Sequence, residues 1–215
     1  MIILVINLAR GGETMARYRN PEIYAAQQTS ILRAAERCIR RYGFEGTAIA
    51  ALCAEAGISA GRLYHYFPSK AAIIAALIAE AQAEALASLD PLATAAITPA
   101  ALIAAVEAAA LGVADPDYAA VALEIAASAA RDATIAAALA AHERAVAAAW
   151  QAAIERGQSG GLFPAHLPAD ALAEAIALVL DGILGCRISK PDLTDAAIRQ
   201  RVRFVLTPLL EHAAR

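Results

Sequence analysis

The sequence contains few residues of the kinds that cross-link a small protein or bind a metal ion. Its 215 residues include three cysteines, which are widely separated. Cys38 and Cys53 occupy apolar-periodic positions of predicted helices, so we interpret them as core thiols rather than as disulfide partners or ligands. The four histidines are scattered and form no Cys/His cluster with metal-ligand spacing. The sequence therefore predicts neither a structural metal nor a cofactor.

The apolar run at the amino terminus is too short to cross a membrane. The run over residues 1–9 is far shorter than the roughly 20 residues that a spanning helix requires, and no basic segment precedes it as in a signal peptide. We expect a soluble cytoplasmic protein in which residues 1–20 form an N-terminal extension or flexible arm. The tetrapeptide Arg10-Gly-Gly-Glu13 resembles a purine-rich ribosome-binding sequence read as protein. Our hypothesis is that Met15 is the native start.

Net charge is small, and its distribution is more informative than its sum. The formal net charge of −3 argues at first against a nucleic-acid partner. Residues 15–70, however, carry eight basic and four acidic side chains, whereas residues 71–215 carry nine basic and sixteen acidic ones. A basic segment followed by an acidic one suits a protein that presents one end to phosphate groups.

Almost nothing in the sequence is typical of a β-strand. Apolar residues from Ile31 to Tyr42 recur with helical spacing and predict a helix that ends near Gly43. After Ser69 the chain is rich in alanine, the best helix former, and is divided by glycine and proline residues, the first of them in Asp90-Pro91. These breaks predict helices near residues 69–88, 99–112, 116–130, 132–157, 168–186 and 192–212. The predicted fold class is all-α.

Residues 47–70 contain two short helices separated by a glycine. Thr47 is predicted to cap the first helix, which stops at Gly57, and Ser59 is predicted to cap the second. A helix, a glycine turn and a second helix form the helix-turn-helix pattern of DNA-binding proteins. Either cap would also form in a protein that never meets DNA, so the side chains of the second helix decide the interpretation.

Those side chains are suited to a DNA groove. Leu63 and Phe67 lie four residues apart, on the face that we expect to pack against the preceding helix. Arg62 has the planar guanidinium that pairs with guanine O6 and N7, and Gly61 lets the backbone approach another surface closely. Lys70, in the first turn of the next helix, would hold a phosphate together with a tyrosine hydroxyl. The polar side of the second helix is predicted to carry Arg62, Tyr64, His65 and Tyr66.

Residues from about 31 to about 77 resemble the DNA-binding domain of the TetR family of transcriptional repressors. The matching residues are Ile31, Ala34, Ala35, Gly43, Phe44, Gly46, Thr47, Ala54, Gly57, Ile58, Ser59, Gly61, Leu63, Tyr64, Tyr66, Phe67, Ser69, Lys70 and Leu77. The resemblance implies that DNA phosphates are held by Thr47, Ser59, Tyr66 and Lys70. It implies that the major groove is lined by Ala60, Gly61, Arg62, Tyr64 and His65. Many relatives carry a longer polar residue at position 60, so the operator sequence is not transferable.

The resemblance also implies how the chain is organised. We expect an N-terminal three-helix helix-turn-helix DNA-binding head at residues 21–70, followed by a C-terminal antiparallel helical bundle at residues 71–215 for ligand binding and dimerisation. The last two predicted helices, about 168–186 and 192–212, are apolar on more than one face and need partners on several sides. The resemblance implies that they form a four-helix homodimer interface. Symmetry supports this independently, because one short recognition helix reads too few base pairs.

A pocket for a small-molecule effector is likewise implied by the resemblance. The alanine-rich helices leave room for a hydrophobic effector. The candidate pocket residues are the few polar or aromatic groups on these helices: Tyr118, Glu124, Ser128, His142, Trp150 and Asp181. A core or surface role is the alternative interpretation for each of them.

These observations predict a ligand-responsive repressor that binds a palindromic operator in double-stranded DNA as a homodimer. One alternative is a helical dimer that keeps the fold but has lost DNA binding. Another is a serine hydrolase, because Gly157-Gln-Ser159-Gly-Gly161 fits the G-x-S-x-G pattern and is followed by Asp170, Asp181 and His212. That nucleophile requires a strand before it and a helix after it, whereas here a helix precedes and a loop follows. The sequence therefore favours a regulator that is not an enzyme.

Overall fold

The computed structural model describes residues 21–94 and 97–211, and over these ranges the chain forms nine α-helices and no strand. This confirms the all-α prediction. The predicted arm at residues 1–20 and the hydrolase candidate His212 lie outside the described residues. The helices are α1 (Pro21–Gly46), α2 (Ile49–Ala56), α3 (Ala60–Tyr66), α4 (Lys70–Thr94), α5 (Pro99–Val113), α6 (Pro116–Ala129), α7 (Ala133–Ser159), α8 (Ala169–Ser189) and α9 (Asp195–Glu211). We call α1–α3 the head and α4–α9 the body.

Two glycines shape the head. Gly43 interrupts α1 with φ 70° and ψ 170°, where the sequence predicts the end of the first helix. Gly57 adopts φ 65° and ψ 33° after α2, a left-handed conformation that glycine takes without steric cost, and its N–H donates to the carbonyl of Ala54. The predicted glycine turn is therefore confirmed, and it sets the angle at which α3 leaves α2.

The described residues enclose two apolar cores, and α4 contributes to both. The core under the head includes Ile31 of α1 and Leu63 of α3, and it extends to Ile125 of α6. The core of the body surrounds the buried Trp150. By length and composition Lys70–Ala93 would suffice to span a membrane, but α4 packs against α7 and supplies buried residues to each core. Head and body thus share one helix.

The break predicted at Asp90-Pro91 is wrong, because α4 continues to Thr94. Pro91 cannot donate a helical hydrogen bond, yet Leu89 and Leu92 on either side of it are buried in the body core. Arg156 donates to the carbonyl of Leu92 at 3.1 Å and so satisfies a group at the end of the helix. Tertiary contacts therefore hold the last turn of α4 in place.

The G-x-S-x-G segment is the end of a helix. Gly157 and Ser159 lie in the last turns of α7, and a loop follows, as the sequence predicts. The ring of Phe163 packs so closely on Gly157 that an added Cβ would lie 2.3 Å from it. Packing therefore explains the glycine. A strand-to-helix elbow that would present Ser159 as a nucleophile is not formed by the described residues around it.

Polar contacts tie the head to the body, and two of them involve α6. The guanidinium of Arg40 pairs with the carboxylate of Asp117 near the start of α6. Two turns further along α6, the carboxylate of Glu124 accepts the backbone N–H of Phe44 at 2.8 Å, next to the Gly43 break. Helix α6 therefore holds α1 at two points, and one of them is the N–H group that the break leaves without a helical partner.

Two arginines paired with one buried carboxylate attach α9 to α5. Glu107 of α5 is buried, and its carboxylate accepts hydrogen bonds from Arg203 at 2.5 Å and Arg199 at 3.2 Å. The hydrogen bond from Arg203, reinforced by Arg199, lowers the pKa of Glu107 despite the opposing effect of burial. The folded state therefore stabilises the ionised form of this side chain.

Glu107→Gln is expected to lower the free energy of unfolding by about 1–3 kcal/mol at neutral pH, the usual range for a hydrogen-bonded charge. Because the pKa of Glu107 is lowered by folding, its contribution is fully present above the unfolded pKa and is lost as the pH falls through the folded pKa. Urea unfolding should therefore give a difference between wild type and variant that is constant near pH 7 and shrinks below about pH 4. The exposed Glu155→Gln is the control, and an equal loss in both variants would contradict the prediction.

Candidate nucleic-acid interface

The second helix of the predicted motif is α3, a seven-residue helix at the surface. The hydroxyl of Ser59 accepts the N–H of Arg62 at 3.3 Å, which confirms the predicted cap. Leu63 and Phe67 are buried in the head core, as their spacing predicts. The remaining side of the helix is exposed. We call the following exposed residues the recognition face: Ala60, Gly61, Arg62, Tyr64 and His65.

Gly61 is not required by the fold. Its position is exposed, its φ is not positive, and an added Cβ would meet no other atom within 4 Å. Glycine lowers helix stability relative to alanine by up to about 1 kcal/mol, so the fold alone gives no reason for it here. A glycine at this position would let another surface approach the α3 backbone closely, and this would explain its presence.

The first turns of α1 contact α3, which sequence analysis missed. The ring of Tyr24 lies 4.7 Å from that of Tyr66 and 6.1 Å from that of His65, measured between centroids. The Gln27 side-chain oxygen accepts a long hydrogen bond of 3.4 Å from Arg62. A proline in the first turn with an acidic neighbour is the usual signal for a helix start, and Pro21 and Glu22 provide it. This signal could have revealed that α1 begins at Pro21.

The prediction that Thr47 caps α2 is wrong. Ala48 occupies the N-cap position, and no side chain caps this helix. Thr47 is buried, and its hydroxyl donates to the carbonyl of Gly43 at 2.7 Å. Thr47 therefore stabilises the break at the end of α1.

Lys70 begins α4 as predicted, but its ammonium group is already bonded inside the head. It donates to the carbonyl of Phe44 and lies 4.2 Å from the centroid of the Phe44 ring. Burial lowers the pKa of Lys70, and the nearby carboxylate of Glu45 opposes this shift. Ser69 caps the helix by accepting the N–H of Ala72 at 3.1 Å. Lys70 thus joins the end of α1 to the start of α4.

Most of the head's basic excess is neutralised locally. Arg33 pairs with Glu36 at 2.9 Å, Arg37 pairs with Glu55 at 2.5 Å, and Arg40 pairs with Asp117. Arg62 forms no salt bridge with any carboxylate in residues 21–94 and 97–211. Positive charge on the recognition face therefore comes from Arg62.

The structure separates the six candidate pocket residues. Tyr118 and His142 line one cavity of about 320 Å³ between α1, α4, α6 and α7. Glu124 lines a second cavity of about 570 Å³ on the other side of α6, although its carboxylate binds the head backbone. Trp150 is buried in the body core, and Ser128 is a buried residue of α6 whose hydroxyl donates to the Glu124 carbonyl one turn earlier. Asp181 is exposed on α8.

Helices α8 and α9 leave large apolar side chains in solvent. Phe204 is 82% exposed, Ile188 is 69% exposed and Leu178 is 66% exposed. Gly182 and Gly185 lie on the same exposed side of α8, and a Cβ added at either would meet nothing within 4 Å. Several large apolar side chains exposed on two helices are typical of an interaction site.

Comparisons with known proteins agree with this geometry. Residues 31–77 match the model of the family described as bacterial regulatory proteins, tetR family. A comparison with curated proteins found no match. Among solved structures, Salmonella enterica GusR is similar at TM-score 0.76 and 26% identity, over 91% of this chain and 100% of that one.

Two further solved structures share the fold. A TetR transcription regulator from Haloarcula marismortui is similar at TM-score 0.76 and 19% identity, over 86% of this chain and 99% of that one. The transcriptional regulator FadR from Bacillus subtilis, in complex with stearoyl-CoA, is similar at TM-score 0.71 and 18% identity, over 85% of this chain and 97% of that one. Members of this family are transcriptional regulators, not enzymes. The match at residues 31–77 and the shared helical fold lead to one conclusion: residues 31–77 match the DNA-binding domain of the tetR family of bacterial regulatory proteins, and the described residues share the fold of solved regulators of that family.

Proposed function

We propose that this protein is a ligand-responsive repressor that binds a palindromic operator as a homodimer and is released by a small effector. The observation that carries the proposal is the recognition face. Its side chains are exposed on a short capped helix whose opposite side is anchored in the head core. A rigidly held helix with an exposed polar face is the element that helix-turn-helix proteins place in the major groove.

Each residue of the recognition face has a role in this proposal. Arg62 pairs with a guanine edge, and Gly61 lets the α3 backbone approach the bases. Tyr64 and His65 contact neighbouring base edges, and the small Ala60 lets the start of α3 enter the groove. On binding, Arg62 gives up its long hydrogen bond to Gln27 and bonds to the base instead. DNA binding therefore breaks only a weak contact within the protein.

Phosphates flanking the groove would be held at the ends of α3. Ser59 and the free N–H groups at the start of α3 lie at one end, and the hydroxyl of Tyr66 lies at the other. The ring of Tyr24 packs on Tyr66 and would orient that hydroxyl. Lys70 would contribute positive charge next to Tyr66, while its hydrogen bond to Phe44 keeps the head rigid. Thr47 contributes by holding the Gly43 break rather than by touching DNA.

The homodimer would form through α8 and α9. The exposed Leu178, Ile188 and Phe204 supply apolar surface, and Gly182 and Gly185 let a second α8 approach closely. Glu107 fixes α9 to α5, so the interface would be rigidly connected to the body. A two-fold pair presents two recognition faces, as a palindromic operator requires.

The effector would bind in the body. Binding of stearoyl-CoA is stated only for the related FadR, but this chain has its own cavity of about 320 Å³ between α1, α4, α6 and α7. Glu36 and Arg40 of the head form part of its wall, so a ligand there contacts head and body together. Coupling between two such sites is typically about 1–3 kcal/mol, which changes operator affinity by roughly 5- to 150-fold. We place the protein in the cytoplasm, where its DNA partner lies.

DNA fragments selected by the protein from its own upstream region test this proposal by fluorescence anisotropy. Affinity should fall steeply with salt, as it does when phosphate-bound counterions are released. Arg62→Ala is expected to weaken binding by about 1–3 kcal/mol and to relax base choice at one position of each half-site. Arg144→Ala, an exposed arginine on α7, is the control. If both variants bind alike, Arg62 does not contact a base as proposed. If no fragment binds specifically, a helical dimer without DNA binding is the better account.

A further inference from the structure

The cavity between α1, α4, α6 and α7 has an apolar floor and a charged rim. Buried side chains from α4 and α6 form the floor, among them Leu77, Ile78 and Ile125. Glu36 and Arg40 from α1 and Asp117 from α6 form the rim, where all three are partly or largely exposed. This division suits a ligand with an apolar body and one polar end.

Negative charge predominates around this rim. Arg40 is paired with Asp117, and Arg33 is shared between Glu36 at 2.9 Å and Glu80 at 3.9 Å, so neither guanidinium is free. Further carboxylates act on the side chains that line the cavity. These carboxylates are Glu84 and Asp181, which act on Tyr118, and Glu143, which acts on His142. Two carboxylates and one guanidinium therefore line the rim, and further carboxylates lie close enough to act on Tyr118 and His142, which favours a cation over an anion.

His142 supplies a second polar feature inside the cavity. Its Nδ1 atom is buried and has no hydrogen-bond partner within the described residues. Burial lowers the pKa of His142, although Glu143 opposes the shift. The neutral imidazole is the favoured form, and one of its two nitrogens is an acceptor for an N–H group. A buried polar atom left without a partner is unusual in a folded protein, so this atom marks the cavity as a candidate binding site.

We infer that this cavity binds an apolar organic cation, with its ammonium group at the rim beside Asp117 and Glu36 and its apolar body against the floor. The inference rests on the proposed function and names the class of its effector. The ammonium group competes with Arg40 for Asp117 and thereby loosens one of the two polar contacts that hold α1 to α6. The effector thus acts on the link between body and head.

Isothermal titration of the full-length protein with three ligands of equal chain length tests the inference: octylammonium, octanol and octanoate. Octylammonium should bind at least about tenfold more tightly than octanol, and octanoate should bind weakest. Asp117→Asn removes one carboxylate and leaves Arg40 without its partner, so the variant should lose about tenfold in octylammonium affinity and gain affinity for octanoate. Asp192→Asn, an exposed aspartate outside the cavity, should behave as the wild type.

The outcomes are distinct. Equal affinity for the three ligands, a preference for octanoate, or no binding of octylammonium would overturn the inference. A preference for octylammonium that Asp117→Asn leaves unchanged would overturn it as well, because the cation would then bind elsewhere. Glu36→Gln provides an independent test of the same rim if Asp117→Asn fails to fold. Operator binding is measured on the same protein preparations without ligand: specific, salt-dependent binding with no selectivity for the cation rejects only this inference, whereas absence of specific DNA binding rejects the proposed function.

Discussion

A Gly61→Glu variant should fold as the wild type does and lose operator binding by more than about a hundredfold, because a buried like-charge contact costs several kcal/mol. An added Cβ at Gly61 meets no atom of the protein within 4 Å, so the longer side chain is accommodated in solvent. In the proposed complex the same space is occupied by DNA. The glutamate would therefore separate α3 from the bases and place a negative charge among phosphates.

The matched control for this variant is Gly112→Glu. Gly112 lies near the end of α5 in the body, and a Cβ there also meets nothing within 4 Å. Both variants add the same charge and volume. Thermal unfolding should show two folded proteins, and fluorescence anisotropy should show that only Gly61→Glu fails to bind. If Gly61→Glu keeps operator affinity within a factor of about three of the control, α3 does not approach DNA as proposed.

Leu178→Arg combined with Phe204→Arg should convert the protein to a monomer. Burial of a large apolar side chain contributes about 1.5–3 kcal/mol, and each subunit of the proposed dimer buries both residues. The double variant also places two positive charges in each half of the interface. Sedimentation equilibrium should show a dimer dissociation constant that is higher by at least about a thousandfold. This change corresponds to only part of the burial energy of these side chains. Operator binding should fall with it, because two recognition faces no longer act together.

Leu162→Arg is the control for this experiment. Leu162 is also exposed, but it lies in the loop after α7 rather than on α8 or α9. It should remain a dimer and bind the operator normally. A double variant that still sediments as the wild type does would show that dimerisation uses another surface. Monomers that bind the operator as tightly as dimers would contradict the two-fold arrangement.

The helix-turn-helix could be predicted from sequence because its signals are local. The left-handed turn at Gly57, the cap at Ser59 and the spacing of Leu63 and Phe67 depend on residues only a few positions apart. Each of these features is present in the structure. The start of α1 was missed because Pro21 lies ten residues before the apolar pattern that defined the predicted helix.

Contacts between residues distant in sequence could not be predicted. Lys70 bonds to the Phe44 carbonyl, 26 residues away, beside the break at Gly43. Glu124 lines a cavity, but its carboxylate also binds a backbone N–H 80 residues away. Sequence alone does not specify which hydrogen-bond partner a side chain will meet after folding.

Pocket residues were hard to choose for a related reason. The body helices are so rich in alanine and leucine that helical periodicity hardly separates their faces. Trp150 and Tyr118 were equally plausible on composition, but Trp150 is buried in the body core and Tyr118 lines the cavity. Only the packing of α4, α6 and α7 against α1 distinguishes the two.

The central claim is that two copies of the recognition face enter the DNA major groove together. Hydroxyl-radical and methylation-protection footprinting of the wild-type protein on a selected operator tests it most directly. We expect protected guanine N7 atoms in two half-sites about 10 base pairs or a multiple of this apart, with two chains or a multiple of two bound per operator. Protection restricted to one half-site, or saturable binding with no protected guanine in the major groove, would contradict this account.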